Sequence, residues 1–302
     1  MNALDQFRQA MTAVGIEAPE LIHDDGAIHR FNPRGQRDGA SAWYVLHSDG
    51  VAAGSFGCWR EGLQSTWCAK SDKAMTSAER DAHKQRIKVM KAQRDADETA
   101  RHQDEADKAA IRWYGASSAF SHPYLVRKGV HAYGIRQDGH TLLIPLRDTA
   151  GKLHSLQTIT PDGEKRFKGR MKGCYHPIGE KTPEVCLVIA EGYATGASIY
   201  EATGWPVAVS FNAGNVGPVA AALHKAYPAL TLVMAADDDH LTPDNPGLTA
   251  ARQAALAVGG FVVVPQFPTG RPSKATDFND LAAMAGLGAV RACFSEIEVL
   301  LC

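Results

Sequence analysis

The stretch "LVMAADDDHLTPDNPG", from Leu232 to Gly247, passes directly from an apolar run into three consecutive aspartates. Three adjacent carboxylates repel one another, and the end of a buried strand solvates them poorly. A bound cation would remove this conflict, so the pattern predicts a metal ion at the strand end. In an extended backbone, Asp237 and Asp239 point to the same side and Asp238 points away, which makes the outer two the expected ligands.

Strands and helices alternate on both sides of this stretch, between residues 186 and 290. The continuous apolar runs "VCLVIA", "PVAVSFN", "LTLVMAA" and "FVVVPQ" are typical of strands that are covered on both faces. Helical segments such as "TGASIYEAT" and "GLTAARQAALAVG" separate them. The order predicts an α/β fold in which a parallel sheet carries helices on its faces.

Acidic or amide side chains follow each of these predicted strands. They are Glu191 after the first strand, Asn212 and Asn215 after the second, Asp237 and Asp239 after the third, and Asp277 after the fourth. The carboxyl ends of parallel strands meet at one edge of the sheet, so these side chains are expected to converge. Oxygen ligands without Cys or His favour Mg²⁺ or Mn²⁺. Taken alone, the cluster from Asp277 to Asp280 is better explained as a solvated loop.

The segment before this α/β region is rich in basic residues. "TLLIPLRDTAGKLHSLQTI" predicts a hairpin with its turn near Asp148 to Gly151. Further along lies a cationic segment whose five basic residues fall within eight positions: Lys165, Arg166, Lys168, Arg170 and Lys172. Such a segment is suited to binding the phosphates of a nucleic acid.

The first third of the chain has a different character. Short β-like runs carrying Trp43, Trp59 and Trp67 predict a small β-rich module; the tryptophans are expected to form its core, with a nucleic-acid or protein contact as the alternative. A long polar helix without Pro or Gly follows. Thr76 and Glu79 have the spacing of a capping box at its start.

Bulk composition narrows the class of protein. The net charge of -1 over 302 residues shows no overall basic field, although a local basic groove is compatible with that total. The N-terminal residues do not resemble a signal peptide, and no run approaches the ~20 apolar residues that span a bilayer. None of the six cysteines forms a C-x-x-C pair, which argues against a zinc ribbon. These features predict a cytoplasmic protein that does not act at a membrane.

Several of these motifs resemble a known family. "VIAEGYATGASI", "MAADDDH" and "PGLTAARQAA" resemble the Toprim domain, which primases, topoisomerases and small nucleases share. Glu191, Asp237 and Asp239 match its glutamate and its D-x-D pair. Upstream, "HPYLVRKGV", "LLIPLRDTAGKLHSLQTI" and "KRFKGRMKG" are similar to the polymerase core of Toprim primases from bacteria, phages and plasmids.

The resemblance implies a domain arrangement as well as a fold. It implies a Toprim, Rossmann-like parallel sheet over 186–302, preceded by a basic α+β primase subdomain over 115–185. A helical linker over 74–114 and a small N-terminal β-rich module over 1–73 come before them. The chain would then be a standalone DNA primase for plasmid, phage or mobile-element replication, without a zinc ribbon or a fused helicase.

The resemblance also implies roles for individual residues. Asp237 and Asp239 would hold the metal that bridges the phosphates of the incoming nucleotide, Asp277 would be a further ligand, and Glu191 would organise a second metal or assist proton transfer. The residues expected to bind nucleic acid or nucleotide are Arg127, Lys128, Arg147, Lys165, Arg166, Lys168, Lys172, Asn212 and Asn215. The implied partners are a single-stranded DNA template, nucleoside triphosphates, and a separate replicative helicase or single-strand binding protein.

Other functions use similar carboxylates. A Toprim nuclease would cut phosphodiesters with the same three residues, and a non-catalytic replication accessory protein would bind DNA without needing them. A sugar transferase can also hold Mg²⁺ with a D-x-D motif, but the basic hairpin disfavours it. Topoisomerase action is disfavoured because the sequence shows no arch-like domain that would carry a nucleophilic tyrosine.

Overall fold

The computed structural model describes residues 2–33, 41–58, 61–71, 75–179 and 186–301. The chain divides into two compact units, Met1–Ala96 and Asp97–Cys302. The four-part division expected from the sequence is finer than this and stays a prediction. In the described part of the chain, no helix is both long and apolar enough to cross a membrane.

The first unit contains a helix and a four-stranded antiparallel sheet in the order β1-β2-β3-β4. Its elements are α1 (Ala3–Ala13), β1 (His29–Phe31), β2 (Ala42–His47), β3 (Ala53–Cys58) and β4 (Leu63–Cys68). Phe7 of α1 is fully buried and packs edge-on against Phe56 and Trp67, with ring centroids 5.4 Å apart in both pairs. Trp67 therefore belongs to the core of the module, while Trp59 lies outside the described residues.

Helix α2 (Ser77–Gly115) contains the point at which the two units divide. Its predicted capping box is confirmed. The backbone N–H of Glu79 donates to Thr76 Oγ1 at 3.2 Å, and the backbone N–H of Thr76 donates to Glu79 Oε2 at 2.9 Å. The two bonds satisfy donors at the start of the helix that have no partner within it.

The second unit begins with a five-stranded antiparallel sheet in the order β5-β6-β7-β8-β9. Its strands are β5 (Ser117–Ser118), β6 (Arg136–Asp138), β7 (Thr141–Arg147), β8 (Leu153–Ile159) and β9 (Lys165–Gly169), and the short helix α3 (Pro123–Lys128) lies between β5 and β6. The predicted hairpin is confirmed as β7 and β8. Asp148 stabilises its turn by accepting hydrogen bonds from the backbone of Ala150 and Lys152.

The pleat of β9 divides the cationic segment between two faces of this sheet. Lys165 pairs with the buried Ile159, so it points to the same side as the core that Ile159 shares with the parallel sheet. Arg166 and Lys168 alternate with Lys165 and point to the opposite side. The cations that the sequence places together therefore do not form one continuous surface.

The parallel sheet of the second unit has the order β10-β12-β11-β13-β14. Its strands are β10 (His176–Ile178), β11 (Cys186–Ala190), β12 (Val207–Val209), β13 (Thr231–Ala235) and β14 (Phe261–Val263). Four of them run parallel, which confirms the α/β prediction, and β10 adds an antiparallel edge that the sequence did not indicate.

Helices cover both faces of this sheet. They are α4 (Tyr193–Thr203), α5 (Ala213–Ala226), α6 (Pro246–Val258), α7 (Phe278–Ala292) and α8 (Ser295–Leu301). Residues of α5 and α6 pack with one set of alternating strand residues. Residues of α4, α7 and α8 pack with the other set, together with Leu142, Ile144 and Ile159 of the antiparallel sheet. The two sheets of this unit thus share one hydrophobic core.

The connections of the parallel sheet create a switch point at its centre. The chain leaves β11 to form β12 on one side, and then crosses to form β13 on the other side of β11. The loops after β11 and β13 therefore part from each other and leave a crevice between the carboxyl ends of the two strands. Glu191 and Asp237 are at or near the start of these loops.

Candidate active site at the carboxyl edge of the parallel sheet

A small open pocket lies at this crevice. Its lining includes three acids (Glu191, Asp237 and Asp277), two lysines (Lys128 and Lys165), a tyrosine (Tyr124), a threonine (Thr195) and a phenylalanine (Phe211). The acids come from the loops after β11, β13 and β14. The lysines come from the end of α3 and the start of β9, so the antiparallel sheet contributes to the same pocket.

Asp237 has the most unusual environment of these residues. Its Oδ1 atom is buried and has no hydrogen-bond partner among the described residues. Burial, together with the negative charges of Glu191, Asp277 and Asp239, raises the pKa of Asp237 to about 8. Burial and the charge of Asp239 also raise the pKa of Glu191. The surroundings of Asp237 and Glu191 therefore disfavour the ionised forms of their carboxyl groups. A bound cation would favour those ionised forms.

Asp239 is held against the start of α6. The backbone N–H of Gly247 donates to Asp239 Oδ2 at 3.2 Å. A Cβ atom on Gly247 would lie 2.8 Å from the backbone oxygen of Asp237 and 3.1 Å from Asp239 Oδ2. Only glycine allows the helix to approach the loop this closely. Asp239 is not in the pocket lining, although its charge acts on both Glu191 and Asp237.

Asp277 has two functions in the structure. It is the N-cap of α7, where Oδ1 accepts a hydrogen bond from the backbone N–H of Asp280 at 2.8 Å. Its Oδ2 accepts a hydrogen bond from the hydroxyl of Thr195 at 3.1 Å and faces the pocket. The explanation of this cluster as a solvated loop is therefore wrong for Asp277.

The two pocket lysines supply the local positive charge. Lys128 Nζ lies 3.7 Å from Asp280 Oδ1, and about a third of its side chain is exposed. Lys165 is exposed, and its charge partly offsets the repulsion that raises the pKa of Asp237 and of Glu191. Both of these predicted binding residues reach the acidic pocket.

Other predicted binding residues have different surroundings. Arg127 Nη1 donates to the backbone oxygen of Pro161 at 3.0 Å, and Arg147 Nη1 donates to that of Gly151 at 2.9 Å. Neither arginine lines the pocket. Arg166 forms an exposed ion pair with Glu164 at 2.7 Å. Lys168 and Lys172 are exposed and lie outside the pocket lining.

The two asparagines that follow β12 are structural. Asn212 is the N-cap of α5 and accepts a hydrogen bond from the backbone of Asn215. Asn215 is buried; its amide group donates to the backbone oxygens of Cys174 and Ser210 and accepts from the backbone of Gly173. These bonds occupy the polar atoms of the Asn215 side chain. The structure therefore contradicts the predicted contact of Asn215 with a nucleotide.

The residues of the pocket fit a hard divalent cation by their chemistry. The available donors are carboxylate and hydroxyl oxygens, and Asp237 Oδ1 is buried without a partner. In the described ranges, no group of three or more His, Cys, Asp or Glu side chains is arranged to hold an ion as it stands. Carboxylates that repel one another are expected to stay apart until a cation draws them together.

Three side chains of the pocket, those of Tyr124, Phe211 and Thr195, were not predicted from the sequence. Tyr124 is only 3% exposed, and its hydroxyl has no partner in the part of the chain that the structure describes. Phe211 has φ 76°, an unfavourable conformation for an aromatic residue and one that tends to occur at functional sites. Thr195 holds Asp277. Tyr124 lies within "HPYLVRKGV" and Thr195 within "VIAEGYATGASI", so these motifs were usable signals for them. Phe211 carried no signal beyond its place at the end of a predicted strand.

Comparisons with known proteins place these features in context. The primase fragment of the bacteriophage T7 primase-helicase protein resembles the chain with a TM-score of 0.41 and 17% identity, over 58% of this chain and 70% of that one. Two Escherichia coli proteins named DNA primase TraC are more similar in sequence. One is 34% identical over 94% of this chain and 21% of its own length; the other is 35% identical over 88% and 27%.

The chain thus spans about a fifth to a quarter of the length of these curated relatives. A family model described as the Toprim domain matches residues 186–288. That range begins at β11 and includes the loops that carry Glu191, Asp237, Asp239 and Asp277. The segment that forms the parallel sheet from β11 onward, with its acidic carboxyl edge, is a Toprim domain.

Proposed function

We propose that this chain is the catalytic segment of a DNA primase, which uses divalent metal ions to synthesise short primers on single-stranded DNA from nucleoside triphosphates. The observation that carries the proposal is the acidic pocket of the Toprim domain, with Lys128 and Lys165 from the preceding antiparallel sheet region on its wall. Similarity to DNA primase TraC supports it, because that similarity covers 94% of the chain and extends far upstream of the Toprim domain.

The acidic residues would hold the metal ions, Mg²⁺ or Mn²⁺. Asp237, with its unpartnered Oδ1, and Asp239 are the principal ligands in this proposal, and Glu191 and Asp277 complete the set. Bound metal would supply charge neutralisation for the triphosphate and for the attacking primer hydroxyl. Glu191, whose raised pKa favours proton binding, is placed to accept a proton from that hydroxyl.

The basic residues would bind the substrates. Lys128 and Lys165 are close enough to the acids to contact the phosphates of the nucleotide that enters the pocket. Lys168 and Lys172 are exposed and available to the phosphates of the template. Arg127, Arg147 and Arg166 donate to partners within the chain and would act on the template only at the periphery.

We propose a biological setting together with the activity. A plasmid, a phage or another mobile element would supply the single-stranded template in the cytoplasm. A separate replicative helicase would expose that template, and a single-strand binding protein would cover it. These partners belong to the proposal and are tested separately from the chemistry.

The proposal is tested by primer synthesis on circular single-stranded DNA. The purified chain is incubated with labelled nucleoside triphosphates and Mg²⁺ or Mn²⁺, beside Asp237→Asn and Asp239→Asn. Glu296→Gln, which removes an exposed acid of α8, is the matched control. Short labelled products are expected from the wild type and from the control, and a loss of at least 100-fold is expected in both aspartate variants.

Two other results would contradict the proposal. Nicked or shortened circles that depend on metal but not on nucleotides would show a Toprim nuclease. Intact circles without products, combined with DNA binding that is unchanged in Asp237→Asn, would show a non-catalytic accessory protein. Nicking and shortening are visible on the same gel when the circular DNA is labelled as well, and DNA binding is measured separately by fluorescence anisotropy.

A further inference from the structure

The middle aspartate of the triplet faces away from the pocket. Asp237 lines the pocket and Asp238 does not. Asp238 Oδ2 instead forms an ion pair with Arg271 Nη1 at 2.5 Å, and the side chains of both residues are about four-fifths buried. The Asp238 carboxylate is therefore held by protein groups on the side away from the pocket.

Every nitrogen of the Arg271 guanidinium is engaged within the protein. Besides the ion pair, Nη2 donates to the backbone oxygen of Asp238 at 2.8 Å and Nε donates to that of Ala275 at 2.7 Å. The guanidinium carbon lies 4.1 Å from the centre of the Phe267 ring, which fixes the plane of the group. Arg271 is thus arranged to bind the loop after β13, with three of its five N–H groups donating within the protein.

The opposite side of Asp238 is bound by the N-cap residue of α6. Asn245 Nδ2 donates to Asp238 Oδ1 at 2.7 Å, and Asn245 Oδ1 accepts from the backbone N–H of Asp239 at 2.9 Å. The backbone N–H of Asp238 donates to Thr276 O at 2.8 Å. These bonds join the loop after β13 to the start of α6 and to the residue before Asp277.

We propose that Arg271 and Asp238 form a clamp that positions the metal-binding carboxylates without touching the metal. The clamp fixes the backbone on which Asp237 and Asp239 lie, and through Ala275 and Thr276 it fixes the approach of Asp277 to the same pocket. The charges of Asp238 and Arg271 cancel, so the clamp leaves the net negative charge of the pocket unchanged. The pocket needs that negative charge to bind a cation. This inference rests on the proposed metal-dependent function of the pocket.

The role differs from that of an ordinary surface ion pair. An exposed pair contributes little to stability and has little effect on a distant site. Groups that orient metal ligands from behind change metal affinity by about 10–100-fold when they are removed. Removing the clamp is expected to lower metal affinity to a similar extent, because the clamp bonds the backbone on both sides of the D-x-D pair.

The test measures Mn²⁺ binding to the full chain without nucleotide or DNA, from the decrease of the electron paramagnetic resonance signal of free Mn²⁺. The variants are Arg271→Ala, Asp238→Asn and the double variant, with Arg271→Lys as the conservative substitution. Arg291→Ala is the matched control, since it removes the exposed ion pair with Glu298 in the same unit. Circular dichroism and thermal unfolding verify that each variant is folded.

Arg271→Ala is expected to weaken Mn²⁺ binding at least tenfold, while Arg271→Lys retains part of the affinity and Arg291→Ala retains all of it. The double variant should bind about as weakly as Arg271→Ala, because both substitutions break the same clamp. If Arg271→Ala does not fold, Arg271→Lys and Asp238→Asn carry the same comparison with smaller effects.

Two outcomes would overturn the clamp. One is wild-type Mn²⁺ affinity in folded Arg271 variants, and the other is a wild-type chain that binds no Mn²⁺ at all. A wild-type chain that binds Mn²⁺ but makes no primers would refute the primase proposal and leave the clamp measurable. If Arg271 bound phosphate instead, its variants would lose affinity for nucleotide while keeping that for Mn²⁺.

Discussion

The ionised carboxylate of Asp237 destabilises the folded chain that buries it. In the unfolded chain its carboxyl ionises near the ordinary pKa of 3.8, whereas burial and neighbouring charges raise the folded pKa to about 8. The folded state therefore binds more protons between these two values, and the free energy of unfolding falls as the pH rises through that window. A carboxylate that destabilises the folded chain in this way is expected at a position where it binds a ligand.

Replacing Asp237 with Asn should therefore stabilise the metal-free chain in a pH-dependent way. The midpoint of thermal unfolding, measured with EDTA, should rise by several degrees more at pH 8 than at pH 5, since ~1 kcal/mol corresponds to about 2–4 °C for a unit of this size. Glu296→Gln serves as the control. The same gain at both pH values would show that the folded pKa of Asp237 is not raised.

Tyr124 gives a second residue-scale prediction, with opposite effects on stability and activity. Its buried hydroxyl has no partner among the described residues, so Tyr124→Phe should stabilise the free chain by about 1 kcal/mol. The same change should lower primer synthesis, because Tyr124 lines the pocket. In contrast, Tyr133→Phe removes a hydroxyl that donates to Glu201 and should destabilise the chain. Thermal unfolding measures the effect on stability, and the primer assay measures the effect on synthesis. Unchanged synthesis in Tyr124→Phe would exclude a contact between the Tyr124 hydroxyl and a ligand.

At the scale of single elements, the start of α6 determines the shape of the D-x-D loop. Asn245 caps the helix and Gly247 allows it to approach Asp237 and Asp239. The added Cβ of Gly247→Ala would push on the backbone oxygen of Asp237 from 2.8 Å. We expect this single methyl group to weaken Mn²⁺ binding at least tenfold, measured by the same resonance signal.

A matched glycine separates this effect from helix propensity. Gly288 lies in α7, is exposed and has open space around its Cβ position. Gly288→Ala should stabilise the chain by about 0.5–1 kcal/mol without changing Mn²⁺ affinity. If Gly247→Ala behaved like Gly288→Ala, the loop after β13 would not depend on close contact with α6.

At the scale of the whole molecule, local patterns in the sequence predicted more than long-range pairings did. The apolar runs of the parallel strands, the capping box at Thr76 and the acids after β11 and β13 all depend on neighbouring residues, and the structure contains them. The ion pair between Asp238 and Arg271 joins residues 33 positions apart and has no local signature. The same holds for the antiparallel edge strand β10, whose partner is fixed only by the folded sheet.

The division of the cationic segment is a further property of the whole molecule, and it yields a prediction about template binding. Lys168 points away from the pocket side of its sheet and is exposed, so it should contact template phosphate without affecting the metal site. Lys168→Ala should weaken binding of single-stranded DNA about equally for all sequences. It should also reduce the slope of log K against log salt by about 0.7, the value for one phosphate contact.

The control for this measurement is a lysine at the opposite edge of the parallel sheet. Lys225 lies in the last turn of α5, which begins at the carboxyl edge after β12 and ends near the start of β13. Lys225→Ala removes the same charge from the chain, so the two variants have the same net charge. Fluorescence anisotropy of a labelled oligonucleotide over a series of salt concentrations should show the smaller slope only for Lys168→Ala. Equal slopes in both variants and the wild type would move the template path away from the face of β9 that carries Lys168, toward the face where Lys165 lies.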